Sequence, residues 1–221
     1  MKAHTPKGRG TPRIVASTVL AGGVLATGLL RGRRSGGSGA ATEEDTGLGQ
    51  FARLKVDYAQ RVASWDGSPT APRRAQVISA AINPGFQAVA AHRLSRALYL
   101  RGLHTPAWIV HMLNLWLTGA EILPTADIGP GMLVTHPSGV GIWCEAGANL
   151  HVNGQCEIGN LEGKRAVLGD DVYLGHASSI LGSVTIGDGA IVGAHALVLK
   201  DVPARHRAVG IPAKNLPPVA G

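Results

Sequence analysis

The chain has little that would staple or charge a fold. Only two of its 221 residues are cysteine, Cys144 and Cys156, so no disulfide scaffold is available. Aromatic residues make up 4% and charged residues 16%, against 45% hydrophobic, a balance too apolar for a disordered protein. The 31 glycines do not follow the Gly-X-Y period of collagen. Acidic residues are missing from the first 34 positions, which hold seven basic ones (Lys2, Lys7, Arg9, Arg13, Arg31, Arg33, Arg34). That segment accounts for the whole net charge of +7, because the remaining chain carries 14 basic and 14 acidic residues. The body therefore has no basic field, and nucleic acid is not an expected partner.

Charge is also absent from residues 14–30, IVASTVLAGGVLATGLL. The run is at the lower edge of spanning length, and Gly22-Gly23 weakens it as a helix. Three readings stay open. It is a membrane anchor or membrane-surface segment, a disordered or marginal helix, or a cleaved signal. Arg31, Arg33 and Arg34 stand where the small-residue cleavage site of a signal belongs. Residues 35–49 read as a flexible linker. The expected division is 1–49 for this segment and linker, 50–118 for a helical capping domain, 119–203 for a repeat domain and 204–221 for a turn and tail.

Between 50 and 118 the apolar spacing is helical. Phe51, Leu54, Tyr58 and Val62 form one stripe, and Pro72 can open a short second helix. Asn83-Pro84 breaks the pattern. Phe86, Val89, Ala90, Leu94, Ala97 and Leu98 mark a third helix ending near Gly102. Pro106 can start a fourth, with Ile109, Met112, Leu113, Trp116 and Leu117 as its stripe. His92, His104 and His111 read as surface or interfacial side chains.

From Ile122 the pattern changes to a step of six: Ile122, Ile128, Val134, Val140, Ala146, Val152, Ile158. One step of ten follows, and the series resumes as Leu168, Leu174, Ile180, Ile186, Val192, Val198. Small or β-branched residues recur four positions after the aliphatic one, Ala126, Ser138, Cys144, Cys156, Ser178 and Ala190 among them. This is the hexapeptide signature of a parallel β-helix. Each unit supplies a short strand and a corner, and three units close one triangular coil of eighteen residues. Both cysteines fall on the small-residue register and read as interior fillers. The four extra residues cannot fit inside a coil, so residues 159–167 must loop outward.

The run ADIGPGMLVTHPSGVGI, followed by LGDDVYLGHASSILGSVTIGDGAIVGAHALVLKDVPARHRAVGIPAK, resembles the serine acetyltransferase family and its polysaccharide-acetylating relatives. GFQAVAAHRLSRALYLRG is similar to the helix that leads into that family's β-helix, so the resemblance covers roughly 84–215. It implies an α+β fold, a left-handed parallel β-helix preceded by a small α-helical domain. It further implies a homotrimer or dimer of trimers, with acetyl-CoA bound between neighbouring β-helices. Acetyl transfer to a hydroxyl needs a base, an aligned thioester and donors for the oxyanion. The resemblance places the catalytic histidine at His136, and its orienting carboxylate, fifteen residues upstream, at Glu121. With eighteen residues per coil, Glu121 is expected one coil below position 139, near His136.

For the donor, the small-residue edges Gly175-His176-Ala177 and Gly193-Ala194 let pantetheine approach the backbone. Lys200, Arg205, Arg207 and Lys214 can meet its phosphates. His176 shares the register of His136 two coils higher, about 10 Å away at the strand spacing. A metal is not expected, since no histidine pair has the five-residue ligand spacing of γ-carbonic anhydrases, which this chain resembles in repeat only.

On the acceptor side the chain departs from the serine enzymes. Their aspartate before the histidine is Thr135 here, and their loop arginine and histidine align with Lys164 and Arg165. Lys164 or Arg165 can supply a cation for a carboxylate, but the ammonium partner is missing from its place. The reading that follows is an acetyl-CoA-dependent O-acetyltransferase acting on a sugar or polysaccharide precursor. Serine O-acetyltransferase and a non-catalytic β-helix scaffold are the alternatives. Acetyl-CoA and reduced cysteines suit the cytoplasmic side, with residues 14–30 as a tether to the membrane.

Overall fold

The structure, a computed structural model, describes residues 49–64, 73–160 and 163–218. The uncharged run at 14–30, the linker up to 48, and Pro69 and Pro72 lie outside these residues. No helix of the described residues is long and apolar enough to cross a membrane.

Four helices precede the strands: α1 (Gly49–Ala63), α2 (Arg73–Ile82), α3 (Pro84–Leu100) and α4 (His104–Thr118). Asn83 does more than interrupt. Its side-chain oxygen accepts from Gly85 N at 2.9 Å and Phe86 N at 3.2 Å, capping α3 with Pro84 in its first turn. Gly119, at φ 76°, ends α4 and turns the chain into the solenoid.

The strands form three parallel sheets, one per side of a triangular prism. Face A stacks β1 (Ala120–Ile122), β4 (Val140–Ile142), β7 (Glu157–Gly159), β10 (Ser179–Leu181) and β13 (Leu197–Val198). Face B stacks β2 (Asp127–Ile128), β5 (Cys144–Ala146), β8 (Ala166–Leu168) and β11 (Thr185–Ile186). Face C stacks β3 (Leu133–Val134), β6 (His151–Val152), β9 (Tyr173–Leu174), β12 (Ile191–Val192) and β14 (Arg207–Val209). An antiparallel β15 (Lys214–Leu216) closes face C, so regular structure continues into the segment expected as turn and tail. Twelve of the thirteen stepped aliphatics are at most 2% exposed, and Ala146 is partly buried against them. Cys144 and Cys156 are both free and fully buried, as interior fillers should be.

The regular step of six conceals a slip in register. Ile122 pairs with Ile142, not Val140, and Ile142 pairs with Ile158. The corner after β3 is thus two residues longer than a hexapeptide, and the corner after β4 is two shorter. Val140 N bonds Pro137 O at 3.2 Å in a tight turn, and Gly139 (φ 69°) bonds back to Gly119 O at 3.0 Å. Ser138, expected inside on the small-residue register, is carried outward on this widened corner and is exposed.

Helices α1 and α4 bury faces that their apolar spacing did not mark, whereas α3 buries Val89 and Ala97 of its marked stripe. In α1 the buried residues are Gln50 and Asp57, while Phe51 is 41% exposed. In α4 the inward residues are Ala107, His111 and Asn114, and the apolar stripe from Ile109 to Leu117 faces outward. His92 and His111, expected to be surface or interfacial side chains, are 1% and 2% exposed, so they are not at the surface, and His111 meets the first coil at its junction with the helices. For His111 and Asn114 the reason is close approach to polar backbone. His111 Nδ1 lies 3.1 Å from Ile122 O, and Asn114 Nδ2 donates to Ala88 O at 3.1 Å.

A buried ion pair fastens these helices to the first coil. Arg93 Nε donates to Asp57 Oδ2 at 2.8 Å, with both side chains fully buried. The remaining guanidinium hydrogens reach Asp57 Oδ1, Gln50 Oε1, Ile128 O and Gly129 O. Asp57 Oδ1 also accepts Gly131 N and Met132 N, each at 2.8 Å. The open end of the prism is capped by hydrogen bonds to its own first corner, and every donor of Arg93 is used.

Candidate active site

His136 follows β3 on the widened corner between faces C and A, and its ring is exposed. Among the described residues it makes no hydrogen bond, so its imidazole is available to a ligand. Glu121, the expected orienting carboxylate, is not beside it. The two-residue slip puts Glu121 below Gly141 rather than position 139. Its Oε1 instead lies 3.9 Å from His111 Nε2, with 55% of the side chain exposed.

What Glu121 does meet is Glu157, two coils up on face A. Gly141 lies between them, and the Glu157 carboxylate folds down onto the space a Cβ at Gly141 would need. Burial, then the charge of Glu121, raises the Glu157 pKa. The two carboxylates line a shallow cavity of about 170 Å³ together with Leu123, Trp143, Gly159 and Asn160. The Gly141 pairing could have pointed to Glu157, but only once the register slip was known.

Thr135 is half-buried and already engaged. Its Oγ1 is 2.9 Å from His151 Nε2, and the His151 ring packs edge-on against Tyr173 at 4.9 Å. Burial, then the charge of Arg61, lowers the His151 pKa. Tyr173 OH accepts from Asn153 Nδ2 at 2.7 Å. No spacing in the sequence signals this chain of side chains, because it forms only when β3, β6 and β9 stack.

Arg165 and Lys164 sit at the other edge of face A, on the loop before β8. Residues 161–162 of that loop lie outside the described ones. Arg165 Nη1 donates to Thr125 O at 3.0 Å, and its guanidinium carbon stands 5.4 Å from the centroid of the Trp143 ring. Lys164 is exposed. Within one chain these cations flank face A from the corner opposite to His136, and the structure does not bring them together with it.

The small-residue edge does lie on the corner of His136. Gly175, His176 and Ala177 follow β9 there, and Gly193 and Ala194 follow β12. A Cβ on Gly175 would stand 2.6 Å from Ala194 N and 2.9 Å from Val192 O, so only glycine fits. The basic residues do not make one cluster. Lys200 follows β13 on the corner of faces A and B, Arg205 (φ 61°) lies between faces B and C, Arg207 is on β14, and Lys214 pairs with Val209 on face C. Among the described residues no group of three or more His, Cys, Asp or Glu is arranged to hold a metal ion.

The pattern for "Bacterial transferase hexapeptide (six repeats)" matches residues 165–200. Serine acetyltransferase of Bacillus pumilus is 39% identical over 136 residues, which are 59% of this chain and 63% of that protein. The chain thus spans less than two thirds of that relative's length. Serine acetyltransferase of Helicobacter pylori is 34% identical over 170 residues, 74% of this chain and 97% of that protein. Among solved structures, soybean serine acetyltransferase complexed with serine superposes with a TM-score of 0.67 at 29% identity, covering 76% of this chain and 69% of that one. The prism, its helical cap and this degree of identity agree: the chain belongs to the serine acetyltransferase family of hexapeptide-repeat transferases.

Proposed function

We propose that the protein is an acetyl-CoA-dependent serine O-acetyltransferase with His136 as general base. The observation that carries this is the free imidazole on a corner whose neighbouring face holds two carboxylates. The sugar acceptor ranked first on sequence because Thr135 left the ammonium of serine without a partner. Glu121 and Glu157 supply that anion from another place, and the relatives named above are serine enzymes. The ranking therefore reverses.

His136 takes the hydroxyl proton of serine as the oxygen attacks the thioester carbonyl. The carbon–sulfur bond then breaks, and the departing thiolate takes that proton back. The smooth edge at Gly175 and Gly193 gives the pantetheine arm room along the same corner.

The cations belong to a different corner, which favours a trimer. A threefold packing of prisms that sets one protomer's His136 corner against its neighbour's Arg165 loop would join the two. The outward face of α4 supplies apolar surface for such an assembly: Trp116 and Leu117 are 75% and 82% exposed.

The test is thiol release from acetyl-CoA by the purified full chain, with serine, homoserine and nucleotide sugars as acceptors. Serine is expected to support turnover, and His136→Ala to lower kcat by about 10²–10⁴-fold. Saturable use of a sugar with serine inert overturns the acceptor. Turnover that survives His136→Ala overturns the base. A protein inert with all acceptors is the scaffold.

A further inference from the structure

Glu121 has a second neighbour besides Glu157. His111, on the inward face of α4, is 2% exposed. Its Nδ1 lies 3.1 Å from Ile122 O. A carbonyl oxygen only accepts, so Nδ1 carries a hydrogen and the neutral ring keeps its lone pair on Nε2. Nε2 is the atom that stands 3.9 Å from Glu121 Oε1. A proton taken up there makes a buried imidazolium, and among the described residues its one ion-pair partner is Glu121. The other sides of the ring offer no counter-charge. Helix α3 presents His92, buried, with a pKa held well below the ordinary value by burial and then by Arg93 and Arg96. Within α4 the Trp108 ring packs edge-on at 5.2 Å. Glu121 meanwhile lines the cavity of about 170 Å³ with Glu157. One carboxylate thus answers to two cations, an ammonium in the cavity and a proton on His111.

We propose that His111 is a positioning residue for the acceptor: through Ile122 O it fixes β1, and through Nε2 it sets how much negative charge Glu121 presents to the serine ammonium. This deepens the serine acetyltransferase reading and rests on it. With Nε2 bare, the charge of Glu121 is left to the cavity. With Nε2 protonated, that charge is shared with the imidazolium, and the ammonium meets a weaker field. The coupling is reciprocal. A proton on His111 weakens serine binding by the same factor by which bound serine weakens the proton. Histidine titrates between pH 5 and 8, so the coupling is read in that range. The Glu157 carboxyl, whose pKa is raised by burial and then by Glu121, adds its own loss on acidification. Variants at His111 separate the two.

The test measures serine binding by calorimetry at pH 6 and pH 8 on the full chain carrying His136→Ala, so that titration of the base plays no part. Serine is expected to bind about tenfold more weakly at pH 6, and to release protons there, read from the heat in buffers of different ionisation enthalpy. His111→Asn, added to that chain, keeps a side-chain N–H for Ile122 O and has no Nε2. It should bring the two Kd values to within about twofold and abolish the release. An unchanged pH dependence overturns the proposal. So does equal weakening at both pH values, since His111 would then be structural only. Absence of proton release from the chain that retains His111 overturns it without any change at that position. Glu121→Gln should weaken serine at pH 8 and also remove the release, which decides the matter even if His111→Asn does not fold. If Glu121→Gln weakens serine while the release persists, this role fails and the serine reading stands. If serine binds Glu121→Gln as before, the ammonium site fails with it. If the unaltered protein neither binds nor acetylates serine, the serine reading fails too.

Discussion

Replacing Asp57 with alanine tests how the helical cap is held. The change removes the counter-charge of a guanidinium that is fully buried, and it strips the partner from Gly131 N and Met132 N. Breaking a buried pair from one side costs about 3–5 kcal/mol, because the surviving charge is left in a medium that cannot solvate it. Each orphaned backbone N–H adds about 1–3 kcal/mol where water cannot reach it. The terms overlap, since the vacated space admits water, so about 4 kcal/mol is the working figure. That is a large share of the total for an ordinary domain, about 5–15 kcal/mol. The assay is urea unfolding followed by circular dichroism. Asp57→Asn keeps one acceptor oxygen and should lose less. Adding Arg93→Met to Asp57→Ala should recover part of the loss, because an apolar replacement of the whole pair leaves no charge behind. A loss below about 1 kcal/mol, or no recovery in the double variant, refutes the reasoning. The same bonds hold the corner that leads through β3 to His136, so the destabilised variant should also lose turnover before it unfolds.

His92 makes stability depend on acidity. Burial, then the positive charges of Arg93 and Arg96, hold its pKa well below the ordinary value. The unfolded chain therefore binds a proton as pH falls through about 6.5 while the folded chain does not, and stability is lost on acidification. Urea-derived stability should fall between pH 7 and pH 5, and His92→Gln should flatten that part of the profile; an unchanged slope counts against the assignment. For Cys144, burial first and the charge of Glu145 second push the thiol pKa up to about 12. Neither cysteine should react with a disulfide reagent at pH 8 in the folded protein, and both should react in urea. Rapid labelling of a native thiol is the contrary result.

The repeat was legible because it is a matter of packing. An interior three side chains wide admits only aliphatic and small residues, so Ile122, Ile158 and Ile180 announce themselves at any register. The slip between Val134 and Ala146 was not legible, because two extra residues at one corner and two fewer at the next leave the step of six intact. Val140 then stood in for Ile142 on the same face, and both are buried. The helices misled for a different reason. An apolar stripe shows that a helix has two faces, and the inward one is assumed to be apolar. Here α1 and α4 turn Asp57 and His111 inward because the first coil offers backbone groups to bond there, while Gln50 accepts from Arg93 and Asn114 donates to the α3 carbonyl of Ala88. Polar side chains satisfy those groups, and large apolar ones cannot.

The site was legible where one residue sufficed and obscure where two had to meet. His136 stands in a motif of consecutive residues, and its corner position follows from the coil. Its partners depend on the register of the next coil, where the slip moves Glu121 from position 139 to Gly141 and away from the imidazole. The same displacement gathers Glu121 and Glu157 on face A, so one local insertion both removes an orienting carboxylate and creates a pair of them. A triangular prism cannot bring its own corners together. Under the proposed function, His136 at one edge of face A and the Arg165 cation at the other would therefore address a single amino acid only if a second prism presents its corner. A monomeric form of this protein should then bind acetyl-CoA weakly and turn over little, even with every side chain of one protomer in place.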